Sequence, residues 1–257
     1  MMALALTRPR PGPNPCAMPQ KTRPPLLVFD LDGTLADTAV DLVSTLNFIL
    51  AREGLRTVAL QDARPMVGGG ARKLIERGLA ANRFEASDAR IDAMLADFLA
   101  HYEAHIADRT VLFPGVTDAL ARFEAAGFSF AVCTNKVEHA SILLLRALGI
   151  EPRFEAICGK DTFGVSKPDG EALLRTIARA GGDPDRALMI GDSKTDIDTA
   201  RNAGVPVVAV NFVYSKEPID SLAPDRVIGH YDELWNAVAT LRIGQRQSAL
   251  TSRDARS

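Results

Sequence analysis

Hydrophobic positions follow two rhythms along this chain. Short, mainly apolar runs at Leu26–Leu31, Phe128–Cys133, Phe154–Cys158, Ala187–Ile190 and Pro206–Val210 show no consistent polar face. A strand covered by helices on both sides needs none, so these five runs predict buried strands of a parallel sheet. Between and after them the period changes to 3.6. Val137–Leu148 has leucines at helical spacing ahead of Gly149, and Leu173, Leu174, Ile177 and Ala178 keep the same rhythm ahead of Gly181 and Gly182. Glycine just past the last periodic residue is a helix stop signal. Leu234, Val238 and Leu241, with Trp235 beside them, predict a last helix packed on the sheet. Strand and helix alternating in this way predict an α/β fold, a doubly wound parallel sheet of Rossmann-like type.

One interval breaks the alternation. Almost a hundred residues separate the first strand from the second, where a crossover commonly takes a few dozen. The stretch has helical faces of its own. Ala39, Leu42, Val43, Leu46 and Leu50 form one; Ile91, Leu95, Phe98, Tyr102 and Ile106 form another, led by Ser87 as N-cap with Asp88 in the first turn. A helical cap inserted directly after the first strand sits over the carboxyl ends of the strands, where open α/β sheets bind ligands. The expected division is a disordered Pro-rich leader (1–24), an α/β core (25–36 and 112–242), a helical cap (37–111) and a flexible tail (243–257).

In the leader, Pro9, Pro11, Pro13 and Pro15 block helix and sheet, and Met18 is an alternative start of translation. Charge is divided along the same lines. The leader holds Arg8, Arg10, Lys21 and Arg23 and no acid, while the tail from Arg242 holds four arginines against Asp254. Taking these +4 and +3 from the overall −2 leaves a folded body near −9. Such a body is a poor nucleic-acid surface, so an anionic ligand has to be held by a local metal and a few placed cations. No apolar run approaches the roughly 20 residues that span a membrane. Three cysteines, Cys16, Cys133 and Cys158, make an odd count without metal-ligand spacing, which suits a reducing cytoplasm.

Candidate chemistry gathers where the strands end. Asp30 and Asp32 close the first run, and Gly33 lets the chain turn just beyond them. Side chains at i and i+2 of a strand point the same way, so the two carboxylates converge and repel unless a cation or a shared proton holds them. Thr134-Asn135-Lys136 follows the second run, Lys167-Pro168 precedes a helix, and Gly191-Asp192-Ser193-Lys194-Thr195-Asp196 leaves the fourth run. Thr-Asn-Lys and Lys-Pro are each ordinary surface sequence. Together the four segments describe phosphoryl transfer: an ionised nucleophile, a carboxyl that donates and accepts protons, a hydroxyl, an amide and an ammonium for phosphoryl oxygens, and hard oxygen ligands for Mg²⁺. His101 and His105 lack the His-Glu-x-x-His order of a zinc pair and read as a helix face; neither a nucleophile elbow nor a P-loop is present.

D-L-D-G-T-L, T-N-K, K-P and G-D-S-x-T-D, in that order and with a helical insertion after the first, resemble the haloacid dehalogenase superfamily from about Leu26 to Leu241. The resemblance implies Asp30 as nucleophile and Asp32 as general acid/base, with Thr134, Asn135 and Lys167 at the phosphoryl group. It also implies Mg²⁺ held by the Asp30 side chain, the Asp32 main-chain carbonyl and the Asp192 carboxylate, with Asp196 in support. The dehalogenases of that superfamily lack an acid where Asp32 stands, so the resemblance implies a phosphatase acting on a small phosphorylated metabolite. In the cap, Pro65–Ala71 is similar to a V-G-x-G-A segment of phosphoglycolate phosphatases. Gly68, Gly69 and Gly70 can offer bare backbone N–H groups to an anion, with Arg72 and Lys73 nearby, which implies 2-phosphoglycolate as substrate. Asn211-Phe212-Val213-Tyr214 departs from the F-G-Y of those proteins, with Val213 at the glycine position. A phosphosugar mutase, a phosphatase for another small metabolite and a non-catalytic binding protein on the same fold stay open as alternatives.

Overall fold

A computed structural model describes residues 23–211, 218–241 and 243. Strand β1 (Leu26–Phe29) leads to a short β2 (Ala36–Asp37) and four helices, α1 (Ala39–Arg52), α2 (Leu60–Ala63), α3 (Ala71–Ala81) and α4 (Asp88–Ala104), before the chain returns through β3 (Val111–Leu112). The remainder runs α5 (Val116–Ala125), β4 (Ser129–Cys133), α6 (Glu138–Ala147), β5 (Ala156–Cys158), α7 (Gly170–Arg179), β6 (Ala187–Gly191), α8 (Lys194–Ala203), β7 (Val207–Val210), β8 (Arg226–Ile228) and α9 (Leu234–Thr240). The expectations for Cys16, for the Phe212-Val213-Tyr214 segment and for most of the leader and tail lie outside the described residues. Arg23, from the expected leader, is described and donates to the Gly182 carbonyl at 2.5 Å.

Six strands form one parallel sheet in the order β5-β4-β1-β6-β7-β8. All five expected strands are present, and β8 is a sixth. Leu26, Leu27, Val28 and Phe29 are fully buried, which suits a central strand with helices on both faces. Their alternation sorts them into two layers. Leu27 and Phe29 pack with Phe130, Val132, Leu144 and Ile190; Leu26 and Val28 pack with Leu173, Ile177 and Met189 on the other face. Burying a side chain of this size contributes roughly 1.5–3 kcal/mol. From β1 the chain builds β4 and β5 to one side, then β6, β7 and β8 to the other. The crevice at the end of β1 is thus the point where strand order reverses, the usual ligand position in such sheets.

The helices between β2 and β3 have a separate core, in which Leu46, Ile49, Ile75, Phe98 and Tyr102 are buried. Ser87 caps α4 by accepting from Arg90 N–H. The antiparallel ribbon of β2 and β3, pairing Ala36 with Leu112 and Asp37 with Val111, joins this helical body to the sheet. Beside the ribbon lies a buried acid. Asp41, in the first turn of α1, accepts from Arg109 N–H at 3.0 Å, Thr110 N–H at 2.8 Å and the Thr110 hydroxyl at 2.7 Å. One carboxylate thereby ties the outgoing helix to the returning chain. No helix among the described residues is long and apolar enough to cross a membrane.

Candidate active site

β1 stops at Phe29 because the next residues turn out of the sheet. Asp30 N–H still donates to the Ile190 carbonyl at 2.9 Å, so the first carboxylate stays fixed at the edge between β1 and β6. The turn closes through Gly33 N–H to Ala36 C=O at 3.0 Å and Ala36 N–H to Leu31 C=O at 3.1 Å. Gly33 has φ +87°, and a Cβ there would stand 2.6 Å from Asp192 Oδ2. Glycine is needed both for the backbone angle and for the room it leaves to a second carboxylate.

Four charged groups meet at this turn. Lys167 Nζ lies 2.6 Å from Asp196 Oδ1 and 2.9 Å from Asp30 Oδ1, the second an ion pair without hydrogen-bond alignment. Asp196 has little capacity left for another ligand, because its second oxygen accepts from Ser193 N–H at 3.1 Å and Ser193 O–H at 2.6 Å in the capping box that starts α8. Asp192 is oriented by the Thr34 hydroxyl, which donates at 3.0 Å, and Thr34 is held in turn by the Tyr231 hydroxyl donating to its carbonyl at 2.9 Å. Burial pushes the Asp30 carboxyl up to about 6 against the pull of Lys167. Burial, then Asp196 and Asp30, hold Asp192 well above the ordinary carboxylate range. For Lys167 burial opposes the charge, but Asp196 and Asp30 outweigh it and the ammonium stays above its usual range.

The residues fit a hard divalent cation. Asp30, Asp192 and Asp196 each bring an oxygen to within 4.8 Å of the others, and among the described residues Lys167 is the one ammonium paired with them. Three ionised carboxylates against one ammonium carry two negative charges in excess, which a divalent cation would balance. Mg²⁺ is commonly bound by one or two carboxylates plus water and substrate oxygens, which matches Asp30 and Asp192 as the donors with oxygens to spare.

Asp32 faces other company. Lys136 Nζ grips both of its oxygens, at 2.7 and 2.9 Å, and lies 4.6 Å over the ring of Tyr102 from α4. Burial works against the Lys136 charge, yet Asp32 and then Tyr102 raise it overall. The two carboxylates of the turn are therefore held apart, one beside Asp192 and the other against a lysine. Thr134 follows β4 with its N–H on the Cys158 carbonyl at 3.0 Å, and Asn135 Nδ2 donates to the Lys167 carbonyl at 3.1 Å. Asp30, Asp32, Thr134, Asn135, Lys167 and Asp192 share a cavity of about 250 Å³ whose far wall is the cap, including Gly68, Gly69 and Gly70. Arg72 is turned away from it. Its guanidinium pairs with Asp92 and lies 3.9 Å from Glu76, on the side of α3 that faces α4, and Arg72 is not among the residues lining the cavity.

The model for haloacid dehalogenase-like hydrolases matches residues 27–210. The chain belongs to this family. Phosphoglycolate phosphatases of Mesorhizobium japonicum and Caulobacter vibrioides are 50% and 46% identical to it over 210 and 215 residues, covering 82% and 84% of this chain and 92% and 91% of theirs. Among solved structures, that of a predicted phosphoglycolate phosphatase from Haemophilus somnus aligns with a TM-score of 0.78 at 26% identity, over 85% of this chain and 99% of that one. This haloacid dehalogenase-like hydrolase is a phosphatase, as those relatives are.

Three residues of this hydrolase's cavity escape a reading of motifs. Lys136 closes the Thr-Asn-Lys segment and looks like a solvated loop lysine, yet it is 9% exposed because Asp32 and Tyr102 enclose it. Lys160 stands in the loop after β5, and Arg64 comes from the cap to bond Asp37. For Lys136 a signal existed, since it directly follows the Thr and Asn singled out. Lys160 and Arg64 have no local pattern; only the fold brings them to the site.

Proposed function

We propose that this phosphatase hydrolyses 2-phosphoglycolate with Mg²⁺ through a phosphoryl group carried on Asp30. The observation behind the reading is the pair of carboxylates two residues apart in opposed settings: Asp30 buried beside Asp192 and Lys167, Asp32 held by Lys136. Asp30 thus stands in the cluster that can hold a metal and face phosphorus, while Asp32 stands outside that cluster, where it can move a proton. Asp30, Asp192 and the Asp32 main chain would hold Mg²⁺, which would supply neutralising charge for phosphoryl oxygens. Lys167 and Thr134 bind those oxygens and orient phosphorus toward Asp30. An Asp30 oxygen attacks phosphorus, the ester P–O bond breaks, and Asp32 gives its proton to the departing alkoxide. Water then attacks the phosphoryl group and breaks its bond to the Asp30 oxygen while Asp32 takes a proton from that water, so phosphate leaves with Asp30 ionised and Asp32 protonated as at the start. Splitting one very slow hydrolysis into two steps is the gain of the covalent route.

The metal is testable without turnover. Adding Mg²⁺ to chelator-treated protein at 100 times its Kd should stabilise the fold by about 2.7 kcal/mol, a rise in Tm of roughly 5–10 °C for a chain of this size. Asp192→Asn should lose most of the rise. An unchanged Mg²⁺-dependent shift in that variant would remove Asp192 from the ligand set.

Phosphate release from a panel of small esters, with and without Mg²⁺, tests the substrate. We expect kcat/KM for 2-phosphoglycolate to exceed that for p-nitrophenyl phosphate and glucose phosphates by about tenfold or more, the effect of one charged hydrogen bond. A site built around a carboxylate leaves its donors unpaired when a neutral ester binds. Equal efficiency across the panel, or a preference for sugar phosphates, sinks the substrate assignment; isomerisation of a sugar phosphate in place of release points to a mutase.

A further inference from the structure

Among the described residues, four cations line the cavity between sheet and cap: Arg64, Lys136, Lys160 and Lys167. Three are already matched by carboxylates. Arg64 makes two bonds to Asp37, at 3.1 and 2.9 Å, Lys136 grips Asp32, and Lys167 sits between Asp30 and Asp196. Lys160 differs: its ammonium has no carboxylate within ion-pair distance among the described residues.

The position of Lys160 is fixed by the sheet. Parallel register pairs Cys133 with Cys158, so Asn135 and Lys160, each two residues further on, leave adjacent strands together. Lys160 N–H donates to the Lys136 carbonyl at 3.0 Å, and Glu138 N–H donates to the Asp161 carboxylate at 2.8 Å. A Cβ at Gly159 would stand 2.2 Å from Glu138 N, so glycine alone lets this loop press so closely on its neighbour. From that anchored backbone the Lys160 side chain reaches the cap. A Cβ built on Gly70 would lie 3.7 Å from Lys160 Nζ and 3.3 Å from the Asn135 carbonyl.

The geometry points to Lys160 as the specificity residue of the core: its ammonium, with the backbone of the Gly68–Gly70 turn, holds the carboxylate at the non-reacting end of the substrate. The inference rests on the reading of this site as one for a phosphorylated carboxylate. Arg64 is spent on both oxygens of Asp37, Lys136 on both oxygens of Asp32, and Lys167 serves the phosphoryl group, whereas Lys160 has no carboxylate partner among the described residues. An acidic body makes such a local cation necessary, because its long-range field repels a multiply charged anion.

Kinetics of the full chain and of Lys160→Met, Lys160→Gln and Lys160→Arg test the inference. The readout is the ratio of kcat/KM for 2-phosphoglycolate to that for p-nitrophenyl phosphate. The ratio should fall about tenfold or more in Lys160→Met and Lys160→Gln, through KM for 2-phosphoglycolate, and Lys160→Arg should keep it within about threefold of wild type. A ratio that stays at the wild-type value in both neutral variants, with both esters falling together or neither falling, overturns the role. Failure of the 2-phosphoglycolate reading itself looks different, since wild type then shows no preference for that ester. In that case 3-phosphoglycerate against glycerol 3-phosphate still reads Lys160 through the carboxylate, and an equal response of the two to Lys160→Met overturns the inference.

Discussion

Asp30→Asn is expected to lower kcat by at least about a thousandfold on every phosphate ester, because an amide is a poor nucleophile and brings no charge to a metal. The loss is not one of folding. Three carboxylates crowd one ammonium at this point, and Lys167 keeps Asp196 at 2.6 Å when Asp30 is neutralised. The sign of the stability effect follows from the proton. Burial raises Asp30 from its ordinary 3.8 to about 6, so between those values the folded state holds the proton more tightly and stability falls as pH rises. At pH 7 and without metal, Asp30→Asn should therefore unfold at the same temperature as wild type or higher. Turnover assays and thermal melts on the same preparation check both halves. A purified variant with more than a tenth of wild-type turnover would end the proposal that Asp30 is the nucleophile.

Asp32→Asn should lower kcat by about 10²–10⁴, the usual contribution of general acid–base catalysis. Its effect should depend on the leaving group. Formation of phospho-Asp30 from p-nitrophenyl phosphate needs little proton donation, so a burst of p-nitrophenolate should survive while the later hydrolysis slows. The alkoxide of an ordinary ester needs the proton at once, and no burst should appear. The Asp32 carboxylate lies outside the Asp30, Asp192 and Asp196 cluster and is bound to Lys136, so the Mg²⁺-dependent rise in Tm should persist in Asp32→Asn. Equal losses for both ester types without a burst would remove Asp32 from the proton transfers.

Much of this site was legible in the chain because its residues stand directly beyond buried strands, and apolar runs locate such strands well. Asp30, Thr134 and Asp192 all follow strands that the sequence predicts. β8 was not visible: Arg226, Val227 and Ile228 form an edge strand with an exposed first residue and no run to mark it. β2 and β3 are two residues each and exist through their pairing with each other. Helix α5 carries Val116, Leu120 and Phe123 at helical spacing and was open to the same periodicity argument as its neighbours. Arg72 shows the opposite limit. Its position at the start of α3 is local, but the contacts that turn it from the cavity come from Asp92 on another helix. Lysines are hardest to read, since Lys136 and Lys160 owe their surroundings to β4–β5 register and to α4 above.

Asp41 gives the helical body a mechanical property that no single residue of the cavity has. A domain on one strand of chain can slide, twist and tilt. Here two strands leave side by side, paired at Ala36–Leu112 and Asp37–Val111, and the Asp41 carboxylate knots them again a few residues on. Two joined straps resist torsion and sideways drift and leave bending across the ribbon as the compliant direction. The glycine turn is thereby set against Asn135 and Lys160 by two linked segments of chain in place of one.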